Sequence, residues 1–207
     1  ISLAFIFFGL LLSCQNNPTV NSNNNPTKAE DSPIAIVIHG GAGAMDKSKM
    51  SDSLANAYKK VLKDAVSQGY EVLQNGGEAI DAVTAAVIIL EDSPLFNAGK
   101  GAVFTHEETH ELGASIMLGV DKNAGAVSGV TQIKNPILLA KDVMINSPHV
   151  MLNGKGAERF AVEQGYELID PSYFYTESRK RALDRVKESE IGANDASAFL
   201  DFDLGDY

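Results

Sequence analysis

The sequence predicts an α+β fold, in which strands and helices are grouped along the chain instead of alternating strictly. Two segments with apolar residues at helical spacing follow each other between residues 51 and 92, and three segments with strand propensity lie between residues 102 and 133. The predicted order β, αα, βββ, α, β, αα favours α+β layering over a doubly wound parallel sheet. A hydrophobic content of 44% in 207 residues suits one main globular domain.

The first predicted elements are a short strand and a pair of helices. The strand is a β-branched run over Ile34–Ile38, "IAIVI", which is expected to be buried and to enter the glycine-rich loop "HGGAG". A polar cap at Ser51 or Asp52 starts a helix that runs to about Gln74, where "NGG" ends it. A second helix over Glu78–Asp92 is apolar on all sides. We therefore expect this second helix to be buried and antiparallel to the first.

The later predicted elements are a β-meander followed by helices. The meander consists of "AVFT", "ELGASIML" and "GAVSGVTQI", with "HEETH" and "GVDKNA" as the connections. A helix starts at Asn135 and runs to about Asn146, and "HVML" predicts a short strand after it. Further helices are predicted over Gly154–Gln164 and Ser172–Glu188. From Ser189 the sequence becomes an acidic tail without a clear period.

Residues 1–14 have the pattern of a secretory segment. They read "ISLAFIFFGLLLSC", carry no charge and end at Cys14, the only cysteine of the chain. The ending resembles the bacterial lipobox, which predicts lipidation of Cys14 and a lipid anchor in the bacterial cell envelope, at its periplasmic or outer-membrane face. The alternative is an N-terminal core helix with a buried cysteine. Since no methionine and no basic residue precede Ile1, we expect the segment to be truncated at its start.

The segment after Cys14 is rich in Asn, Pro and Ser and predicts a disordered tether over residues 15–32. With one cysteine, an intrachain disulfide is impossible. The formal net charge is −10, with 17 Lys and Arg against 27 Asp and Glu, which argues against a nucleic-acid partner. The short basic run over Ser178–Arg181 reads as a solvated helix face.

The sharpest local motif is His106-Glu107-Glu108-Thr109-His110, which matches the zincin pattern H-E-x-x-H. Zinc binding by this motif requires both imidazoles on one face of a helix. Here the motif lies between two predicted strands, in a span too short for such a helix. An exposed polar turn is the favoured interpretation, and a zinc peptidase that uses His106 and His110 is the alternative.

Two glycine-rich loops are further candidates for a functional site. One is "HGGAG", whose backbone N–H groups can approach a ligand closely, although it lacks the lysine and the spacing of a phosphate-binding loop. The other is "LEDSPLFNAGKGAVF", which is apolar where surface loops are usually polar. Such a loop holds its backbone close to packing partners, an ion or a substrate. From local residues alone, a tight turn with His39 in the core remains an alternative for the first loop.

Taken together, several motifs resemble the plant-type asparaginase and isoaspartyl peptidase family of N-terminal-nucleophile hydrolases. They occur in the family's order over roughly Ile34 to Glu188 and read "IAIVIHGGAGAM", "LEDSPLFNAGKGAVFT", "HELGASIMLG", "AGAVSGV", "KNPILLAKDVM" and "SPHVMLNGKGAERFA". The resemblance implies an αββα sandwich, of which this chain is the first half, with residues 33–188 as the α-subunit part. Residues 189–207 would be a flexible linker that leads to the β subunit.

The resemblance also implies the chemistry. In this family a threonine in a G-T-V-G motif is freed by autoproteolysis, becomes the N-terminus of the β subunit, and attacks the amide of asparagine or of a β-aspartyl dipeptide. No G-T-V-G occurs in this sequence, so no complete catalytic set lies in the chain and we expect the fragment alone to be inactive. The implied partners are the chain's own β subunit, in an (αβ)2 assembly, and a small amide substrate.

The supporting site residues follow from the family motifs residue by residue. The H-G-G loop corresponds to His39, Gly40 and Gly41, expected near the nucleophile, and the P-L-F-N-A-G motif places Asn97 toward the active site. No organic cofactor is implied, but the same loop is expected to bind a structural sodium ion, which suits backbone carbonyl oxygens. Those carbonyls belong to Leu90, Glu91, Ser93, Phe96, Ala98 and Lys100.

The chain departs from the family pattern at Gly113 and Leu118, where the family commonly has aspartates. Any polar contact made by those carboxylates is lost here, which leaves the effect on activity open. A rival interpretation from another class is a truncated or degenerate envelope lipoprotein of the same fold that does not catalyse. A threonine motif soon after Tyr207 would favour the enzyme.

Overall fold

The computed structural model describes residues 33–41 and 50–193, with side chains up to Glu190. Three predictions lie mainly or wholly outside these residues: the lipoprotein segment with Cys14, the tether, and most of the linker over residues 189–207. None of the described helices combines the length and the apolar character needed to cross a membrane. The described elements confirm an α+β fold.

The first helices are the pair that the sequence predicts. Helix α1 spans Asp52–Gln74, and the Ser51 side chain accepts a hydrogen bond from the Leu54 N–H as its N-cap. Helix α2 spans Ala79–Glu91 after a four-residue connection and packs along α1. Buried alanines on both helices allow a close approach, at Ala65 on α1 and at Ala82 and Ala86 on α2.

A small sheet forms the second layer. Strands β1 (Leu112–Met117) and β2 (Ala124–Val130) are antiparallel, with an irregularity between Leu112 and Ala114. After helix α3 (Pro136–Asn146), strand β3 (Met151–Asn153) joins the other edge of β2 in parallel. The strand order is therefore β1-β2-β3 in a three-stranded sheet, and α3 packs against β1 and β2.

The last part of the described chain is helical. Helix α4 spans Gly154–Glu163, a 3₁₀ turn spans Pro171–Phe174, and helix α5 spans Glu177–Ala193. The predicted helix over Ser172–Glu188 thus divides into a 3₁₀ turn and a helix that ends five residues later. The reason lies in the caps: the Asp170 carboxylate accepts from the Ser172 N–H, and the Thr176 hydroxyl accepts from the Arg179 N–H.

The hydrophobic core lies where α3 packs against the sheet, and residues of α2 and α4 also belong to it. Phe174, Leu139, Val130 and Val143 are fully buried within it. Further members are Ile80, Ala102, Leu112, Ile116, Val127, Ile133, Ile137, Ala140, Met144, Ala157 and Ala161. Because Phe174 belongs to this cluster, the 3₁₀ turn before α5 is anchored in the core.

Two predicted strands are absent from the described residues. Ile34–Ile38 has irregular backbone and pairs with no described strand, and the Val37 side chain is 90% exposed. The segment "AVFT", residues 102–105, follows a 3₁₀ turn over Gly99–Gly101 and also lacks strand pairing. Both predictions were wrong for the same reason. A β-branched run becomes a strand only where another strand supplies its hydrogen-bond partners.

Candidate functional site

The loop from Leu90 to Phe104 is folded back on itself. This segment is named the Asn97 loop. At Gly99, where φ is +49°, an added Cβ would lie 2.3 Å from the Glu91 carbonyl oxygen. At Gly101 an added Cβ would lie 2.1 Å from the Phe96 carbonyl oxygen and 2.8 Å from that of Pro94. Any side chain at these two positions would collide with backbone. The glycines therefore allow the return of the loop, as its sequence indicates.

Asn97 lies exposed at the outer part of this loop. Its Oδ1 accepts a hydrogen bond from the Val103 N–H at 3.0 Å, which ties the two limbs of the loop together. Its Nδ2 donates to no other residue that the structure describes. The side chain is thus held through its oxygen, and its amide N–H groups have no hydrogen-bond partner among the described residues.

The loop His39–Gly41 lies against the Asn97 loop. An added Cβ at Gly40 would be 3.3 Å from Cε1 of Phe96 and 3.0 Å from Cδ2 of Leu62. His39 is exposed, and its Nδ1 accepts a hydrogen bond from the Gly41 N–H at 3.2 Å. The predicted alternative of a core histidine is therefore wrong for His39. The structure brings the two glycine-rich loops together around Phe96, which is buried.

Tyr58 of α1 supports the same loop and was not predicted as a site residue. Its hydroxyl donates to the Leu95 carbonyl at 2.9 Å, and its ring meets Phe96 edge to face, with the centroids 5.5 Å apart. The sequence places Tyr58 on the apolar face of α1, and that is the only signal that could have indicated the role. The pattern cannot say which loop such a side chain reaches.

The start of the Asn97 loop is fixed by a buried carboxylate. Glu91 is 3% exposed, and its Oε1 accepts from the Ile137 N–H in the first turn of α3 at 3.0 Å. Its Oε2 has no partner among the described residues, and burial raises the pKa of Glu91 to about 7. The neighbouring Asp92 accepts from Asn135 at 3.1 Å. The end of α2 and the beginning of α3 are therefore joined at the base of the loop.

Two of the backbone carbonyls expected to hold sodium lie beside the loop glycines. The carbonyls of Glu91 and Phe96, both in the expected set, converge on the two loop glycines, together with the carbonyl of Pro94, which the expectation did not include. Among the described residues, no group of three or more His, Cys, Asp or Glu side chains could hold a metal ion. The sodium site on backbone carbonyls therefore stays a prediction from the family resemblance.

The zincin-like motif forms a turn and not a helix. The Thr105 N–H donates to the Thr109 carbonyl at 2.7 Å, and Glu108 has a φ of +62°. The side chain of His106 is 66% exposed, whereas His110 is 5% exposed and its ring centroid lies 4.1 Å from that of Phe104. The helical geometry that zinc would require is absent here. The prediction of a turn is confirmed, and the burial of His110 was not expected.

We predict that His110 makes folding stability depend on pH. Burial lowers the pKa of His110 below its ordinary value of 6.5, and its Nε2 has no partner among the described residues. As the pH falls through 6.5, the unfolded chain takes up a proton that the folded chain does not. The free energy of unfolding should therefore fall with decreasing pH, and His110→Leu should flatten this slope in urea titrations.

The matched control for this experiment is His106→Leu, because the side chain of His106 is 66% exposed in the same turn. We expect His106→Leu to keep the slope of the wild-type profile. If His110→Leu keeps it as well, then His110 is not held neutral by burial.

The two departures from the family pattern lie on the first hairpin. Gly113 is exposed at the irregularity in β1, and Leu118 is partly buried against the hydrophobic core. The apolar side chain of Leu118 is thus accommodated by packing.

Comparisons with known proteins identify a family for this chain. A model of the asparaginase family matches residues 32–202. The chain is 47% identical over 167 residues to the isoaspartyl peptidase of Escherichia coli (strain K12). The aligned region covers 80% of this chain and 52% of that protein. It is 40% identical over 171 residues to the isoaspartyl peptidase/L-asparaginase of Rattus norvegicus, and the aligned region covers 83% of this chain and 50% of that protein.

An archaeal relative shows the same extent of similarity. The chain is 40% identical over 155 residues to the plant-type L-asparaginase of Pyrococcus abyssi (strain GE5 / Orsay). The aligned region covers 75% of this chain and 48% of that protein. The chain spans about half the length of the curated relatives it matches. It belongs to the asparaginase family of isoaspartyl peptidases and plant-type L-asparaginases, and its α+β elements are part of that family's Ntn-hydrolase fold.

Proposed function

We propose that the protein is an amidohydrolase that hydrolyses L-asparagine, β-aspartyl dipeptides or both, through an N-terminal threonine nucleophile formed by autoproteolysis. The observation that carries the proposal is the contact of the loop His39–Gly41 with the Asn97 loop around Phe96. A chain of the asparaginase family with these two loops in contact has the α-side half of such a site. The names of the relatives support the substrate class.

The nucleophile is proposed to come from sequence that continues after Tyr207, in a β subunit. Its own amine would take the hydroxyl proton, and the hydroxyl oxygen would attack the amide carbon. Ammonia or an amino acid then leaves, and water releases aspartate from the acyl-enzyme. The residues of this chain supply the surroundings. The amide N–H groups of Asn97 would donate toward the nucleophile or the substrate, and the backbone of Gly40 and Gly41 would approach the reacting groups closely.

A sodium ion is proposed as a structural element of the Asn97 loop. It would be held by the backbone carbonyls of Leu90, Glu91, Ser93, Phe96, Ala98 and Lys100, so the side chains at positions 93 and 100 would take no part in binding the ion. When bound, a monovalent cation compensates the carbonyl dipoles that the folded-back loop brings together. Its part is to keep Asn97 in place, with no role in the bond-breaking steps.

The partner is proposed to be the chain's own β subunit, in an (αβ)2 assembly. The unpaired apolar segment Ile34–Ile38 supports this, because a strand from another part of the protein could complete its hydrogen bonds. We also propose a lipid anchor at Cys14, which would place the enzyme in the bacterial cell envelope.

Reading the gene beyond Tyr207 and assaying its full product tests the proposed function. We expect a G-T-V-G motif soon after Tyr207, cleavage before its threonine as seen by mass spectrometry, and release of aspartate from asparagine or from a β-aspartyl dipeptide. A folded product that lacks this threonine and releases no aspartate would instead support the non-catalytic lipoprotein. Stoichiometric zinc that is lost in His110→Ala would support the zinc peptidase.

A further inference from the structure

Arg179, in the first turn of α5, contacts the Asn97 loop from the far end of the described chain. Its Nε donates to the Gly101 carbonyl at 2.8 Å, across a sequence separation of 78 residues. Gly101 is the last residue of the 3₁₀ turn Gly99–Gly101, so its carbonyl is one of those that a helix end leaves without an internal partner. A cationic donor at such a carbonyl makes a charge-assisted hydrogen bond.

The position of this bond relates it to Asn97. Gly101 lies two residues before Val103, whose N–H holds the Asn97 side chain. Gly101 also packs against the carbonyls of Pro94 and Phe96, so it cannot move without moving the other limb of the loop. A shift of the Gly101 backbone would therefore displace the groups that orient Asn97.

The basic residues around Arg179 have other partners. Arg181 lies 3.6 Å from Glu177 in the same helix, and Lys180 pairs with Asp184 and with Glu108. Within the part of the chain that the structure describes, Arg179 forms no ion pair, and its side chain is half-buried. Among the described residues, its guanidinium thus binds the loop backbone and no carboxylate.

A second contact holds α5 and the loop together. The 3₁₀ turn Pro171–Phe174, just before α5, is anchored by the fully buried Phe174. The neighbouring Tyr173 ring lies 5.2 Å from Nζ of Lys100, the middle residue of the loop's 3₁₀ turn. The start of α5 is therefore fixed to the core and meets the loop at two successive residues, Lys100 and Gly101.

We propose that Arg179 is a positioning residue for the reaction: it holds the turn Gly99–Gly101 and through it the orientation of Asn97. The catalytic part of this inference rests on the proposed function. The structural part does not, because it concerns only the geometry of the loop. Arg179 acts through the backbone and does not contact the reacting atoms.

The test uses the full-length protein and the variants Arg179→Met, Arg179→Lys and Arg181→Met. Arg179→Met keeps an apolar stem but removes every donor, and Arg179→Lys restores a charge with a single donor group. Arg181→Met is the matched control, since it changes a neighbouring arginine that pairs within α5. Hydrogen exchange at the Val103 amide reports the loop, and steady-state kinetics report the reaction.

We expect Arg179→Met to speed exchange at the Val103 amide and to lower kcat by about tenfold to a hundredfold with KM nearly unchanged. Arg179→Lys should partly restore both the slow exchange at the Val103 amide and kcat. Arg181→Met should resemble the wild type in both measurements. Wild-type exchange in Arg179→Met, or a kcat equal to that of Arg181→Met, would overturn the proposal. If the wild-type protein hydrolyses neither substrate, the proposed function fails, and the exchange measurement still decides the role of Arg179 in the loop.

Discussion

Replacing Gly101 by alanine in the full-length protein is expected to open the Asn97 loop and to abolish the aspartate release that the proposed function requires. The added Cβ would lie 2.1 Å from the Phe96 carbonyl oxygen, a separation that real Cβ atoms do not tolerate. Gly101 does not have a positive φ, so the effect is steric and not conformational. The backbone must separate, which breaks the Arg179 contact and displaces Val103 from Asn97. We expect a loss of about 3 kcal/mol or more in the free energy of unfolding.

The measurement is chemical denaturation together with the aspartate-release assay, with Gly119→Ala as the control. Gly119 lies in the turn after β1, and an added Cβ there meets no atom within 4 Å. The control should change stability by less than about 0.5 kcal/mol and keep full activity. If Gly101→Ala were as stable and as active as Gly119→Ala, then the loop would not be folded back as described.

Phe174→Ala is expected to cause the second large loss. Phe174 is fully buried in the core, and its ring lies 5.3 Å from that of Tyr173 and 6.0 Å from that of His110. Removing the ring leaves a cavity among rigid neighbours, which should cost about 3 to 5 kcal/mol of folding stability. The 3₁₀ turn that precedes α5 would also lose its anchor. Activity should fall beyond what the loss of folded protein explains.

The control for Phe174→Ala is the adjacent Tyr175→Ala. Tyr175 has a similar size but is 49% exposed, and its hydroxyl donates to the exposed Glu177. Urea titrations of both variants should show a loss of about 1 kcal/mol or less for Tyr175→Ala. Equal losses for the two variants would contradict the assignment of Phe174, and not Tyr175, to the core.

The helices could be predicted closely because their ends have local causes. Ser51 caps α1, and Pro136 occupies the first turn of α3, so the sequence carries both start signals within one turn of each helix. The sequence predicts a helix capped by Ser51 or Asp52 that runs to about Gln74, and the structure has Asp52–Gln74 with Ser51 as the cap. The sequence predicts one continuous helix over Ser172–Glu188, whereas the structure has a 3₁₀ turn followed by α5, because a 3₁₀ turn and an α-helix share much of their local sequence pattern.

Strands were harder to predict, since a strand is defined by a partner distant in the sequence. The predicted strand "GAVSGVTQI" overlaps β2, which spans Ala124–Val130 and pairs with neighbours on both sides. The segment Ile34–Ile38 is richer in β-branched residues but pairs with no described strand. Alternation and β-branching describe how well a segment suits a sheet. They do not supply the neighbouring strand that satisfies its backbone groups.

The candidate site was predicted in its loops but not in its contacts. Glycine spacing indicated a loop that returns on itself, and Gly99 and Gly101 do contact its opposite limb. The supports of that loop come from far away in the sequence: Tyr58 from α1 and Arg179 from α5. Each is an ordinary residue of an amphipathic helix when it is taken alone. Only the three-dimensional fold shows which loop it reaches.

The central claim is that the amide N–H groups of Asn97 support a nucleophilic threonine. It is tested most directly by measuring aspartate release in Asn97→Asp. This substitution keeps the acceptor for the Val103 N–H and replaces the N–H donors by a carboxylate oxygen, which adds a negative charge. Asn75→Asp adds the same charge at the exposed end of α1 and is its control. We predict that kcat of Asn97→Asp falls about a hundredfold, with its melting temperature close to that of the control. Wild-type turnover by Asn97→Asp would contradict the account.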